Sequence, residues 1–165
     1  MPKKSANKKQ STQSSDAVTL LKGDHRQVKE WFEKFENSRS SKIKQELAIS
    51  ICNALTIHMK IEEEIFYPAF LQATRDKNMH HEAVVEHDGA KTLIAEIMQS
   101  DTSDDYYDSK VHVLSELIKH HVKEEEQSDG MFAEARASKM DLEKIGQSIL
   151  DRKQELLAAG AGRAG

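Results

Sequence analysis

Cysteine, proline, glycine and aromatic residues are all scarce in this chain, and each scarcity removes a class of structure. One cysteine in 165 residues, Cys52, rules out an internal disulfide and a thiolate metal cluster. Any metal site must therefore draw on imidazole and carboxylate, and a reducing compartment is favoured. Two prolines, 7 glycines and 5% aromatics leave little turn chemistry or strand-forming material for a sheet. No run approaches the roughly 18 consecutive apolar residues that a membrane-spanning helix needs. The basic N-terminus leads into polar rather than apolar residues, so it does not read as a secretory signal. What remains is the expectation of a soluble, cytoplasmic, all-α protein of about one domain, long enough to bury a substantial core.

Residues 1–15 hold Lys, Ser, Gln and Asn with almost nothing to bury, and are expected to form a disordered basic tail. Setting aside Lys3, Lys4, Lys8 and Lys9 leaves 20 of the 24 basic residues to face all 28 acidic ones, so the body is acidic. That balance argues against nucleic-acid binding as the main task.

Helical periodicity organises the rest. Asp16, with Ser14 and Ser15, offers a cap for a first helix over about 16–37, whose apolar stripe Val18, Leu21, Val28, Phe32, Phe35 takes in His25. A second helix over about 41–72 carries Leu47, Ile51, Ala54, Ile65 and Ala69, with His58 and Glu62 standing where the pattern asks for hydrophobes. Pro68 near its end should kink or stop it. The third, about 78–99, has Ala83, Ala90, Ile94 and Ile97 in register with His87. The fourth has Tyr107, Val111, Leu114 and Ile118 in register with His121 and Glu125; Ser128-Asp129-Gly130 interrupts it, and helix resumes over Met131–Ala137. A last helix over about 139–158, capped by Ser138, is expected to pack outside the bundle or against a partner, with a frayed Gly-Ala end. Short polar connections between helices of this length fit an antiparallel up-down-up-down four-helix bundle over 16–137, with 138–165 as an added C-terminal helix and flexible end.

A histidine and a glutamate four residues apart usually form an ordinary surface pair. Here a histidine falls on the inner stripe of all four helices, and two of the four add a glutamate one turn on. Burying His25, His58, Glu62, His87, His121 and Glu125 without compensation would cost several kcal/mol, and metal ions would remove that cost. His80, His81, His112 and His120 fall off the stripe or at a helix start and are read as solvent-facing, with His80 and His81 the two that could still approach the centre. Glu63 and Glu64 are read as solvent-facing as well.

The order His25, His58-x-x-x-Glu62, His87, His121-x-x-x-Glu125 resembles the hemerythrin-like family, specifically the bacterial HHE cation-binding domain. The flanking segments agree: Leu20-Leu21-Lys22-Gly23-Asp24-His25, Glu62-Glu63-Glu64-Ile65-Phe66-Tyr67-Pro68, Glu86-His87, and His120-His121-Val122-Lys123-Glu124-Glu125-Glu126. The resemblance implies two iron ions in a non-haem di-iron centre, bridged by Glu62 and Glu125, with His25 and His58 on one iron and His87 and His121 on the other. Two features depart from the family. The position of a fifth histidine, one turn before His87, is Ala83, which leaves more room for solvent, peroxide or a small gas. The second motif also lacks the proline that follows the first.

The expected function is binding, sensing or scavenging of dioxygen at the iron pair, with an apolar seam of Phe32, Ile51, Leu55, Leu114 and Ile118 to exclude water. No nucleophile or general base stands outside the ligand set, which favours a binding protein over an enzyme. The alternatives are peroxide or nitric oxide reduction at the same site, and iron storage, transfer or metal-responsive regulation through the tail or the last helix. Self-association is expected through that helix. A ferritin-type oxidase would place Glu-x-x-His at these positions, and the spacing is absent. Zinc in a tetrahedral structural site would not use so many ligands.

Overall fold

The computed structural model describes residues 15–160, and among them there are helices and no strands. The elements are α1 (Ala17–Asn37), α2 (Ser41–Ile61), a π-helical turn (Glu62–Phe66), α3 (Tyr67–Thr74), α4 (Lys77–Met98), α5 (Tyr107–Glu126), α6 (Met131–Ala137) and α7 (Leu142–Ala158). The bulk of the expected basic tail and the last five residues lie outside the described range.

Local chemistry sets most of the helix starts. The side chains of Asp16, Ser40, Asp76 and Asp141 each accept from the backbone N–H three residues on, at 2.9, 3.3, 3.0 and 3.1 Å, satisfying a donor that the first turn leaves open. The last helix is consequently capped by Asp141, not Ser138, and begins at Leu142; Ser138 instead closes α6, donating through its hydroxyl to the Ala135 carbonyl. α3 ends at Arg75, whose φ of 60° is the left-handed conformation that stops a helix.

α1, α2, α4 and α5 form the antiparallel bundle, with α3 continuing α2 through the π turn and α6 packed against α5 and α3. Two apolar clusters fill it. One gathers Leu21, Ile61, Phe66, Phe70, Met131 and Phe132; the other gathers Phe32, Phe35, Ile51, Leu55, Ile97 and Leu114. Each fully buried side chain of this size contributes about 1.5–3 kcal/mol, so the two clusters together can carry a costly polar layer between them. Along α1 that layer falls at His25, between Leu21 and Val28; along α4 it falls at His87, between Ala83 and Ala90. α7 lies across α1, α2 and the π turn and buries Ile149 and Leu156 there, leaving Leu150 and Leu157 exposed.

The helix expected over about 41–72 is present, but Pro68 does not stop it: helix runs on to Thr74, with a π turn over Glu62–Phe66 just before the proline. Pro68 has no N–H to give to the carbonyl four residues back. Just before it the Tyr67 N–H bonds to the Glu62 carbonyl, five residues back. The chain gains a residue in that turn and runs on as helix without a break.

A candidate metal centre between two apolar clusters

Four helices and the π turn bring all six sequence-predicted residues into one layer. His25 on α1, His58 on α2, Glu62 on the π turn, His87 on α4, and His121 and Glu125 on α5 are each buried, from 0% exposed for Glu62 to 8% for His25. The histidines meet in pairs: the Nε2 atoms of His25 and His58 lie 3.1 Å apart, and those of His87 and His121 lie 3.2 Å apart. Each carboxylate divides its oxygens between the pairs. Glu62 sets Oε1 2.6 Å from His58 and Oε2 3.2 Å from His87, while Glu125 sets Oε2 3.3 Å from His25 and Oε1 3.1 Å from His121. Candidate ligand atoms gather within 4.8 Å in two sets, His25, His58, Glu62, Glu125 and Glu62, His87, His121, with Glu62 common to both.

The outward faces of the rings explain why Nε2 points inward. His58 Nδ1–H donates to Asp24 at 2.9 Å, His87 Nδ1–H to Glu63 at 3.1 Å, and His121 Nδ1–H to Glu86 at 3.3 Å. A carboxylate can only accept, so those bonds place a proton on Nδ1 and leave the Nε2 lone pair for the centre. His25 Nδ1 faces Glu126 at 3.6 Å, an ion-pair distance, and has no hydrogen-bond partner. Paired Nε2 atoms at about 3 Å repel unless a cation lies between them. With no metal that cation is a proton, and the titration behaviour follows.

Burial alone would push the His58 imidazolium to lose its proton, but the Glu62 and Asp24 carboxylates overcome it and raise the group to about 10. His121 is likewise raised against its burial by Glu125, and His25 by Glu125 and Glu126. Burial and the neighbouring Glu62 charge both favour protonation of Glu125, yet His121 and His25 bring it down to about 2. Glu62 is lowered against its own burial by the surrounding histidines.

Sequence reasoning missed Tyr67. Its hydroxyl lies 2.5 Å from Glu62 Oε2, 2.8 Å from Glu125 Oε1, 3.1 Å from His87 Nε2 and 3.3 Å from His121 Nε2. Burial first, then the two carboxylates, push the phenol well above its ordinary value, so it keeps its proton in the metal-free protein. One proton cannot serve four acceptors. Meanwhile Glu62 Oε1 and Glu125 Oε2, on the other side, face the Nε2 atoms of His58 and His25 at 2.6 and 3.3 Å, atoms that are themselves acceptors whenever those rings are neutral. This surplus of inward-facing acceptors fits cations and little else.

Glu63 is corrected from solvent-facing to the acceptor of His87, where Lys91 also holds it at 2.7 Å. Glu64 is solvent-facing as expected, and pairs on the surface with Arg152 of α7 at 2.8 Å. Among the remaining histidines, His81 is exposed, His112 pairs with Glu36 at 3.1 Å on the surface, and the largely exposed His120 lies 3.4 Å from Glu86. His80 is half-buried with its ring 6.1 Å from that of Tyr67, so it does approach the centre without reaching the ligand atoms.

Two cavities touch the layer. A void of about 10 Å³ meets all four histidines and is walled by Val28, Leu55, Met59, Ile118 and Val122. A larger cavity of about 290 Å³ runs past Ala83, Glu82 and Glu86 to His121 and Glu125. The room expected beside Ala83 is there.

Comparison with known proteins agrees with this geometry. The family model for the hemerythrin HHE cation-binding domain matches residues 16–133. A crystal structure of a hemerythrin HHE cation-binding domain-containing protein from Mycobacterium kansasii superposes with a TM-score of 0.68 at 17% identity, covering 88% of this chain and 89% of that one. Among curated proteins none matches.

Proposed function

Because the chain belongs to the hemerythrin HHE cation-binding domain family, we propose that its polar layer holds two non-haem iron ions and that the protein binds or senses dioxygen or a related small ligand there. The observation that carries this reading is the division of Glu62 and Glu125 between the two histidine pairs. His25 and His58 would hold one ion and His87 and His121 the other, with each carboxylate giving one oxygen to either side. Tyr67 would add its oxygen on the His87 side, where the hydroxyl already lies. Six imidazole and carboxylate ligands suit iron in both of its common oxidation states.

A bound iron pair supplies reversible binding of, and electron transfer to, a small oxidising ligand. The chain's own residues supply the surroundings. Asp24, Glu63 and Glu86 fix the ring orientation and raise the donor strength of three histidines. The small apolar void against the four rings, about 10 Å³, is the size of one water-sized molecule and has no polar wall besides the rings themselves. It suits a diatomic ligand and disfavours water. Within the described residues no helix is long and apolar enough to cross a membrane, and the single thiol, Cys52, is buried and pushed up to about 12 by that burial. A lone cysteine with no second thiol to pair with fits the reducing cytoplasm, where we place the protein. Self-association through α7 would use Leu150 and Leu157, the exposed apolar side chains of that helix.

A second reading, reduction of peroxide or nitric oxide at the same centre, is favoured by the larger cavity beside Ala83, which gives polar ligands a route to His121 and Glu125. One experiment separates the two. Anaerobic loading with ferrous iron, then air, then deoxygenation, should give two irons per chain and an absorption band that appears and reverses. Irreversible oxidation with turnover of peroxide would support the second reading. A metal count near one, or zinc in the purified protein, would end the di-iron proposal.

A further inference from the structure

α7 lies wholly beyond the residues matched to the family, which end at 133, yet it carries two cations to acidic side chains around the centre. Lys153 Nζ lies 2.6 Å from Asp24 Oδ1, and the other oxygen of Asp24 accepts from His58 at 2.9 Å. The neighbouring Arg152 holds Glu64, in the same π turn as Glu62 and Glu63, at 2.8 Å. The helix is closely seated: a Cβ on Gly146 would come within 2.5 Å of the Ser15 carbonyl oxygen and 3.0 Å of the Ala17 nitrogen, so no side chain fits there without moving α7 off the start of α1. Two of the carboxylates that face a ring Nδ1 are backed by a lysine, Glu63 by Lys91 from α4 and Asp24 by Lys153. The second of these comes from outside the bundle.

We propose that Lys153 is a positioning residue for the metal pair, holding Asp24 against His58 and moderating the charge that this carboxylate lends to the ring, so that the seating of α7 and the state of the metal are linked. The inference rests on the metal reading above. A carboxylate on Nδ1–H makes the imidazole a stronger donor and favours the more highly charged metal. An ammonium on the far oxygen of that carboxylate draws charge away and favours the less charged one. Lys153 and Asp24 are 36% and 22% exposed, so solvent screens part of the effect without abolishing it. Linkage then works in both directions: whatever factor the lysine contributes to metal binding, the metal contributes to the docking of α7. A partner that lifted α7 would change the centre without touching it.

The test compares the full chain with Lys153→Gln, Lys153→Arg and Arg152→Gln after anaerobic loading with ferrous iron. It reads the midpoint potential by spectroelectrochemistry and the hydrogen exchange of α7 amides with ferrous and with ferric iron. Lys153→Gln should keep its iron, shift the potential to a more negative value and favour the ferric form several-fold. Lys153→Arg should return the potential to that of the parent. Arg152→Gln should loosen α7 with little change in potential. By the same linkage, exchange in α7 of the parent should be faster with ferric than with ferrous iron, and that difference should shrink in Lys153→Gln. An iron-loaded Lys153→Gln protein with the parent's potential would overturn the proposal, as would an equal shift from Arg152→Gln. Failure of the parent itself to take up iron would overturn the metal reading and this inference together, a result plainly distinct from an iron-loaded protein indifferent to residue 153.

Discussion

Tyr67 and Glu62 stand five residues apart on one continuous helical run, and the tyrosine hydroxyl nevertheless donates to the glutamate carboxylate. In α-helical geometry five residues turn the side chain about 140° away from the starting face. The π turn between them narrows that offset, since its i to i+5 repeat brings the two positions onto one face. A tyrosine that would have faced elsewhere therefore reaches the middle of the polar layer.

Replacing Tyr67 by Phe tests what that hydroxyl does. In the metal-free protein the change removes a donor from two buried carboxylates and should cost about 1–3 kcal/mol in urea denaturation. In iron-loaded protein it should leave both ions in place and remove visible absorption that a phenol oxygen on ferric iron would produce. Spectra of parent and variant that coincide would place Tyr67 as a hydrogen-bond donor only.

The metal-free protein should lose stability on the alkaline side. His58 is raised from 6.5 to about 10 on folding, so its contribution is full below pH 6.5 and is lost as the pH climbs through 10. Glu125 is lowered from 4.5 to about 2, so its contribution is full above pH 4.5 and is lost as the pH falls toward 2. Taken together, these two groups put the optimum between those limits. Denaturation midpoints of metal-free protein should be higher near pH 6 than near pH 9, with the difference shrinking after metal loading, because ions replace the protons on Nε2. A flat profile for metal-free protein would show that the histidines fold uncharged.

The bundle and the six residues of its buried polar layer were legible because both follow from one periodicity. Steps of three and four place Leu21, His25 and Val28 on a single stripe, and the structure buries that stripe as read. Tyr67 was not legible because the π turn breaks the same periodicity, and the nearest signal, a proline directly after it inside a long helical pattern, points to a kink or a stop and not to a π turn. Asp24, Glu63 and Glu86 were missed for a different reason. They lie next to a candidate ligand in sequence, where a period of 3.6 turns them partly toward water, and their hydrogen bonds go to a ring from another helix: Asp24 on α1 accepts from His58 on α2, and Glu86 on α4 accepts from His121 on α5.

Removing those outer carboxylates should weaken metal binding without emptying the bundle. Asp24→Asn, Glu63→Gln and Glu86→Gln keep the side-chain shape but turn an acceptor of the Nδ1–H into a poorer one, and a loss of about 10–100-fold in affinity for ferrous iron is expected for each. His121→Ala should abolish binding of one ion, while His120→Ala, at a largely exposed side chain, should leave affinity unchanged. Competition with a chelator of known affinity measures all five. Equal loss from His120→Ala and Glu86→Gln would show that the surface pair, rather than the bond to His121, is what matters.

Ser115 supplies a prediction of opposite sign. Its side chain is 1% exposed and its hydroxyl has no hydrogen-bond partner, on α5 beside the groove that Phe32, Ile118 and Val122 share with His25. A buried hydroxyl left unpaired costs free energy that a methyl group in the same space does not. Ser115→Ala should therefore raise the stability of the metal-free protein by about 1 kcal/mol. In a chain of this size that is a rise of about 2–4 °C in Tm. Iron content should not change, since the hydroxyl touches no ligand. A fall in Tm of similar size would show that the hydroxyl is satisfied by ordered water in the groove, and would make that groove a wet approach to His25 instead of a dry one.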